Sequence, residues 1–144
     1  MRRDCFGEEH ELFRAQVRRF VETEVVPRVP AWNARGMSDR ETWLRAGEEG
    51  FLGVNAPEAY GGAGADFLYS AVVMEELALA RAHGMMVSLH SDICLPYLLA
   101  YGSEEQKQKW APGAIRGELL LGICMTEPGT GSDLANVQTR ALRD

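Results

Sequence analysis

A chain of 144 residues, 46% hydrophobic and 25% charged, carries enough apolar material for one domain with its own core and is not a disordered segment. Its formal net charge of −6, with no stripe of clustered Lys and Arg, excludes a nucleic-acid or anionic-membrane partner, which would need cations to meet phosphates. The two N-terminal arginines run into Asp4, Glu8, Glu9 and Glu11 instead of an apolar stretch, and no apolar run approaches the ~20 residues that cross a bilayer, so the expected location is the cytosol or an equivalent interior.

From Glu8 to about Pro27, the residues Phe13, Val17, Phe20, Val21 and Val25 recur at steps of three and four, the spacing of one helix face. This first helix is expected to end near Pro27 and Pro30. Ser38 and Glu41 have capping-box spacing and predict a second helix to about Gly50. The stretch FLGVNAPEAYGGAGAD is dense in Gly and Pro and reads as an ordered loop, with Asp66 able to cap a third helix that turns Tyr69, Val72, Val73, Leu77 and Ala80 inward. Between Met85 and Tyr101 the pattern is apolar on more than one side, as in a helix buried between others, and Gly102 ends it. Ser103 and Gln106 form another capping box, with Glu104 and Glu105 at the positive end of the helix dipole, and Pro112 is expected to kink or interrupt that helix.

After Gly117 the character changes. LLLGICM is a short continuous apolar run and VQTRAL alternates, so both read as strands. The chain therefore divides into a mainly α unit, 1–117, and the start of a β unit, 118–144. A sheet with only its first strands leaves backbone groups unpaired, so residues beyond Gly117 are expected to be poorly ordered, exchanged with a neighbouring copy, or packed irregularly.

The segment TEPGTGSD, Thr126 to Asp133, lies between these two runs. Gly129 and Gly131 leave backbone amides open to a ligand, while Thr126 and Ser132 supply hydroxyls, a pattern suited to an anion such as a pyrophosphate. A plain Gly-rich turn accounts for the same residues. The two common nucleotide motifs are excluded, because no Lys precedes the Ser or Thr and Leu134 stands where GxGxxG needs its third glycine. His90 sits in an apolar helix, where a histidine is more often a packed core residue than an acid or base. Glu75 and Glu76 are consecutive and point about 100° apart, so they read as solvated or capping groups rather than an acid-base pair, and Lys107 and Lys109 read as a solvated face. Cys5, Cys94 and Cys124 have no metal or disulfide spacing and read as free thiols.

Four segments, in order, are HELFRAQVRRFVETEVVP, GFLGVNAPEAYGGAGAD, YGSEEQKQKWAPGAIRGE and LGICMTEPGTGSD. Together they closely resemble the acyl-CoA dehydrogenase family. The stretch SLHSDICLPYLLAYGSEEQ is similar to its long-chain branch, where a His-Ser pair stands at the same distance from the glycine. The resemblance implies the helical N-terminal domain of that fold followed by the first strands of a truncated middle β domain, with a C-terminal helical bundle absent. It implies FAD as cofactor, an acyl-CoA thioester as substrate, dehydrogenation to the trans-2-enoyl thioester as in fatty-acid β-oxidation, an electron-transfer flavoprotein-type acceptor, and homo-oligomers for complete members.

Carried over residue by residue, the resemblance puts Ile123, Met125, Thr126, Gly131 and Ser132 against the flavin, with Ser132 also touching the acyl-CoA. His90, Ile93 and Cys94 would line the acyl channel. Thr130 departs from the family pattern, where a small apolar residue is usual, and is expected to face solvent. No residue matches the catalytic glutamate, which lies in the C-terminal part of the family, so no catalytic residue is expected in this chain and the fragment alone is expected to be inactive. A second reading, a non-catalytic helical interaction or scaffold domain that keeps the fold, remains open.

Overall fold

The structure is a computed structural model and describes residues 5–142. Helix α1, Glu8–Phe20, opens with the Gly7 amide donating to His10 Nδ1 at 3.0 Å, and its first turn carries Glu8, Glu9 and Glu11. The helical path does not end at the prolines. It passes through a π turn, Val21–Val25, and a 3-10 turn, Val26–Arg28, into α2, Val29–Arg35, and stops at left-handed Gly36. Each change of winding restarts the helix, so Pro27 and Pro30 fall in first turns, where a missing N–H costs nothing.

Helix α3, Arg40–Glu48, is capped by Asp39 rather than by the expected Ser38 and Glu41 box. One Asp39 oxygen accepts from the Thr42 amide and hydroxyl at 2.9 and 2.7 Å, and the other accepts from the Trp32 indole at 2.7 Å. Ser38 instead accepts from the Trp43 indole at 3.0 Å. The loop of residues 51–66 leads to Asp66, which accepts from the Leu68 amide and caps α4, Phe67–Leu79, as its side-chain chemistry predicts.

The next helical run opens at Val87 and Ser88, winds as a π stretch over Leu89–Cys94 and continues as α5, Leu95–Tyr101. Helix α6, Glu104–Ile115, opens on the Ser103 and Gln106 box and runs through Pro112 instead of breaking there. Helix α1 packs on α4 over the main core, which includes Val17, Phe20, Val25, Trp32, Phe51, Leu52, Val72 and Val87. Phe51 meets Phe13 and Phe20 edge-on, with centroids 5.7 and 5.3 Å apart. A smaller cluster of Ala56, Leu95, Ala111, Ala114 and Ile115 joins α5 to α6. Where α3 crosses the end of α6, Gly117 has φ of 71°, and a Cβ there would overlap the Trp43 carbonyl.

Residues 120–126 are chain without a β partner, and among the described residues the segment forms no ladder, only a single bridge between Glu127 and Thr130. The strands read from LLLGICM and VQTRAL are therefore not formed. Neither run has a neighbouring strand to supply its ladder bonds.

Candidate functional site

The TEPGTGSD loop is held by its own backbone and by the residues 136–139 that follow it. The Glu127 and Thr130 backbones exchange two hydrogen bonds, 3.1 and 2.9 Å, closing a turn over Pro128 and Gly129. The Glu127 carboxylate accepts from the Thr139 hydroxyl at 2.5 Å and from the Gln138 and Thr139 amides at 2.6 and 3.1 Å. The Thr139 hydroxyl first, and the Gln138 amide next, hold this carboxyl below the usual carboxylate range. Thr130 is not solvent-facing as expected: it is buried, and its hydroxyl donates to the Asn136 carbonyl at 3.1 Å. Asn136 also donates to the Asp133 carboxylate.

These ties leave an open concavity of about 390 Å³ lined by Cys124, Met125, Thr126, Glu127, Leu134, Val137 and Thr139. Of the sequence-predicted residues, Met125 and Thr126 line it, whereas Ile123, Gly131 and Ser132 are exposed nearby in sequence but outside its lining. Side chains at Gly129 and Gly131 would meet nothing within 4 Å, and among the described residues no protein group accepts from the Gly131 or Ser132 amides. The concavity has an apolar wall from Met125, Leu134 and Val137 and a hydroxyl at Thr126, a lining that suits a flat, partly apolar ring with a polar edge.

His90, Ile93 and Cys94 are not brought to one surface. His90 is 1% exposed and occupied by protein on both ring nitrogens: Nδ1 accepts from the Leu121 amide at 3.0 Å and Nε2 lies 3.0 Å from the Ala114 carbonyl. An amide only donates and a carbonyl only accepts, so the ring is the neutral tautomer protonated on Nε2. Burial pushes its pKa below the usual imidazole value, against the opposing pull of the Ala114 carbonyl. Trp43 packs edge-on to it at 5.4 Å. Cys94 is buried, and burial pushes its thiol up, while Ile93 is 44% exposed.

Sequence reasoning missed the ionic contact between α1 and α4. Glu76 is buried rather than solvated, and it accepts from Arg18 Nε at 2.9 Å and from Arg14 at 3.2 Å, while Glu75 takes Arg14 at 2.7 Å. The Arg18 hydrogen bond, opposed by desolvation and joined by Arg14, holds the Glu76 carboxyl below the usual range. The signal was present: Arg14 and Arg18 stand four apart on one face of α1. Burial also pushes the Asp92 carboxyl up, and its Oδ1 has no hydrogen-bond partner. Among the described residues no cluster of three or more His, Cys, Asp or Glu is arranged to hold a metal, and no helix is long and apolar enough to cross a membrane.

A family model, the acyl-CoA dehydrogenase N-terminal domain, matches residues 7–118. The chain is 45% identical over 141 residues to the mitochondrial long-chain specific acyl-CoA dehydrogenase of Mus musculus, covering 98% of this chain and 33% of that protein. It is 34% identical to the mitochondrial isovaleryl-CoA dehydrogenase of Bos taurus, covering 94% of this chain and 32% of the relative. Thus it spans about a third of the length of the curated relatives it matches. Among solved structures, an acyl-CoA dehydrogenase from Geobacillus kaustophilus superposes with a TM-score of 0.91 at 48% identity, over 98% of this chain and 37% of that one. A glutaryl-CoA dehydrogenase from Mycobacterium smegmatis in complex with FADH2 gives 0.87 at 31% identity, over 96% and 36%. The helical order, the loop after it and these likenesses agree, and the chain belongs to the acyl-CoA dehydrogenase family as its helical N-terminal domain.

Proposed function

We propose that this chain is the N-terminal part of an FAD-dependent acyl-CoA dehydrogenase, supplying helical packing and one side of the flavin site, and that it does not complete catalysis by itself. The observation that carries the reading is the concavity beside Met125 and Thr126, with the nearby Gly131 and Ser132 amides bonded to no protein group among the described residues. The helical unit of residues 1–117 and the unit of residues 118–144 are proposed as the start of two domains; the family match, which ends at residue 118, supports that division.

When bound, FAD supplies the hydride acceptor for the α,β-dehydrogenation of an acyl-CoA thioester to its trans-2-enoyl form. The residues of this chain bind and orient. Thr126 offers a hydroxyl to a polar ring edge, Ile123 and Met125 offer apolar contact, and Gly131 and Ser132 offer amides to a pyrophosphate, with Ser132 also proposed to touch the acyl-CoA. Ile93, exposed on its helix, is the member of the proposed channel trio left able to meet an acyl chain, since His90 and Cys94 are buried. The proton-abstracting glutamate is placed outside these residues, and an electron-transfer flavoprotein-type acceptor, homo-oligomerisation and a cytosolic or equivalent interior belong to the same proposal.

Titrating FAD into the chain while following flavin absorbance and fluorescence tests the reading. Saturable binding is expected, weakened about tenfold by Thr126→Ala, the loss of one hydrogen bond of ordinary strength. An unchanged flavin spectrum would favour the alternative of a helical interaction domain without chemistry, which the self-contained helical core also permits.

A further inference from the structure

Between the end of α6 and the loop the chain is tied down at two levels. The Glu118 and Leu119 amides donate to the Gly113 carbonyl at 2.8 and 3.0 Å, and the Glu118 carbonyl accepts from Arg40. Next, the Leu121 amide donates to His90 Nδ1 at 3.0 Å. From residue 122 to 142, every hydrogen bond among the described residues is made within that segment itself. Among the described residues, the bond from Leu121 to His90 is therefore the last polar link between the helical body and the chain that carries Met125 and Thr126.

We infer that His90 is a positioning residue for the loop, its Nδ1 setting where the chain that bears Met125 and Thr126 leaves the helical body. The imidazole is suited to this because it joins two backbone groups through one rigid ring. Nε2 donates to Ala114 at the end of α6, and Nδ1 accepts from Leu121 on the outgoing chain. Complete burial and the edge-on Trp43 ring hold its orientation. The Leu121 side chain packs on the cluster of Ala56, Leu95, Ala111, Ala114 and Ile115, so the anchor is both polar and apolar. Among the described residues no charged group forms an ion pair or hydrogen bond with the ring; its partners from α3, α6 and the outgoing chain are Trp43, Ala114 and Leu121. What the positioned loop binds rests on the flavin reading, whereas the anchoring itself does not.

The test separates the two nitrogens in the 144-residue chain. His90→Asn places an amide oxygen where Nδ1 lies and keeps the acceptor for Leu121. His90→Gln reaches the Nε2 position and keeps the donor to Ala114 but not that acceptor. Hydrogen exchange followed by NMR is expected to show the Leu121 amide exchanging roughly tenfold faster in His90→Gln than in wild type, and near wild type in His90→Asn, with α1 and α4 protected alike in both. FAD affinity is expected to fall in His90→Gln and to recover in His90→Asn.

Equal Leu121 exchange in the two variants, with the helices intact, would overturn the inference. If neither variant folds, the wild type decides: a single Nε2–H tautomer with a protected Leu121 amide supports the anchor, and mixed tautomers or an unprotected Leu121 refutes it. A Leu121 effect without any FAD binding sustains the anchor and removes the flavin reading, so the two fail separately.

Discussion

Replacing Glu76 by Gln tests the α1–α4 contact most directly. Glu76 is 4% exposed, Arg14 12% and Arg18 52%, so the substitution removes the charge that two guanidinium groups share in a mostly dry site. Breaking a buried ion pair by removing one partner costs about 3–5 kcal/mol. Here that figure is discounted, because Arg18 can turn into water and Arg14 keeps Glu75 at 2.7 Å. The expected loss is about 2 kcal/mol, and for a chain of this length the midpoint should fall by roughly 6–10 °C. Thermal denaturation followed by circular dichroism at pH 7 measures it. Because the folded carboxyl titrates below its unfolded value, this contribution is complete above the ordinary carboxylate range and disappears as pH falls through the depressed value. The wild type should therefore converge on Glu76→Gln in acid. A midpoint shift under about 2 °C at pH 7, or a constant gap from pH 7 into acid, would refute the reasoning.

Asp39→Ala strips the α3 cap and leaves the buried Trp32 indole and Thr42 hydroxyl without their acceptor, and a urea titration should show a loss of about 2–3 kcal/mol, with Asp39→Asn recovering part of it. Gly117→Ala meets both a left-handed backbone and the Trp43 carbonyl, whereas Gly36→Ala meets the left-handed backbone alone with nothing within 4 Å. Thermal midpoints should fall clearly further for Gly117→Ala, with Gly36→Ala costing only about 1 kcal/mol. His90 titrates below the ordinary imidazole value in the folded chain, so its contribution is full above that value and is lost as pH falls through it toward the depressed one. Urea midpoints at pH 7.5 and 5 should therefore diverge more in the wild type than in His90→Asn, and equal divergence would contradict the neutral assignment.

Much of the helical unit was legible because its signals are local. The three-and-four spacing of Phe13, Val17, Phe20 and Val21, the Asp66 cap and the Ser103 and Gln106 box each act within one turn, and each is found in place. The passage through Pro27 and Pro30 was not legible, since a π turn followed by a 3-10 turn depends on what the helix packs against rather than on the prolines themselves. Asp39 displaced the Ser38 and Glu41 box because two indole rings, brought in by packing, each claimed an acceptor.

The amino-acid sequence by itself determined the mainly α character of residues 8–115, the Gly-rich loop at 126–133 and the family that both resemble, because hydrophobic period, capping and turn chemistry are short-range. Tertiary structure alone decided the rest. Glu76 became a buried anion only when α1 brought Arg14 and Arg18 across it, and His90 became a neutral link only when the end of α6 and the outgoing chain met its two nitrogens. Apolar runs after Gly117 have strand character, but a strand needs a neighbour, and the described residues supply none.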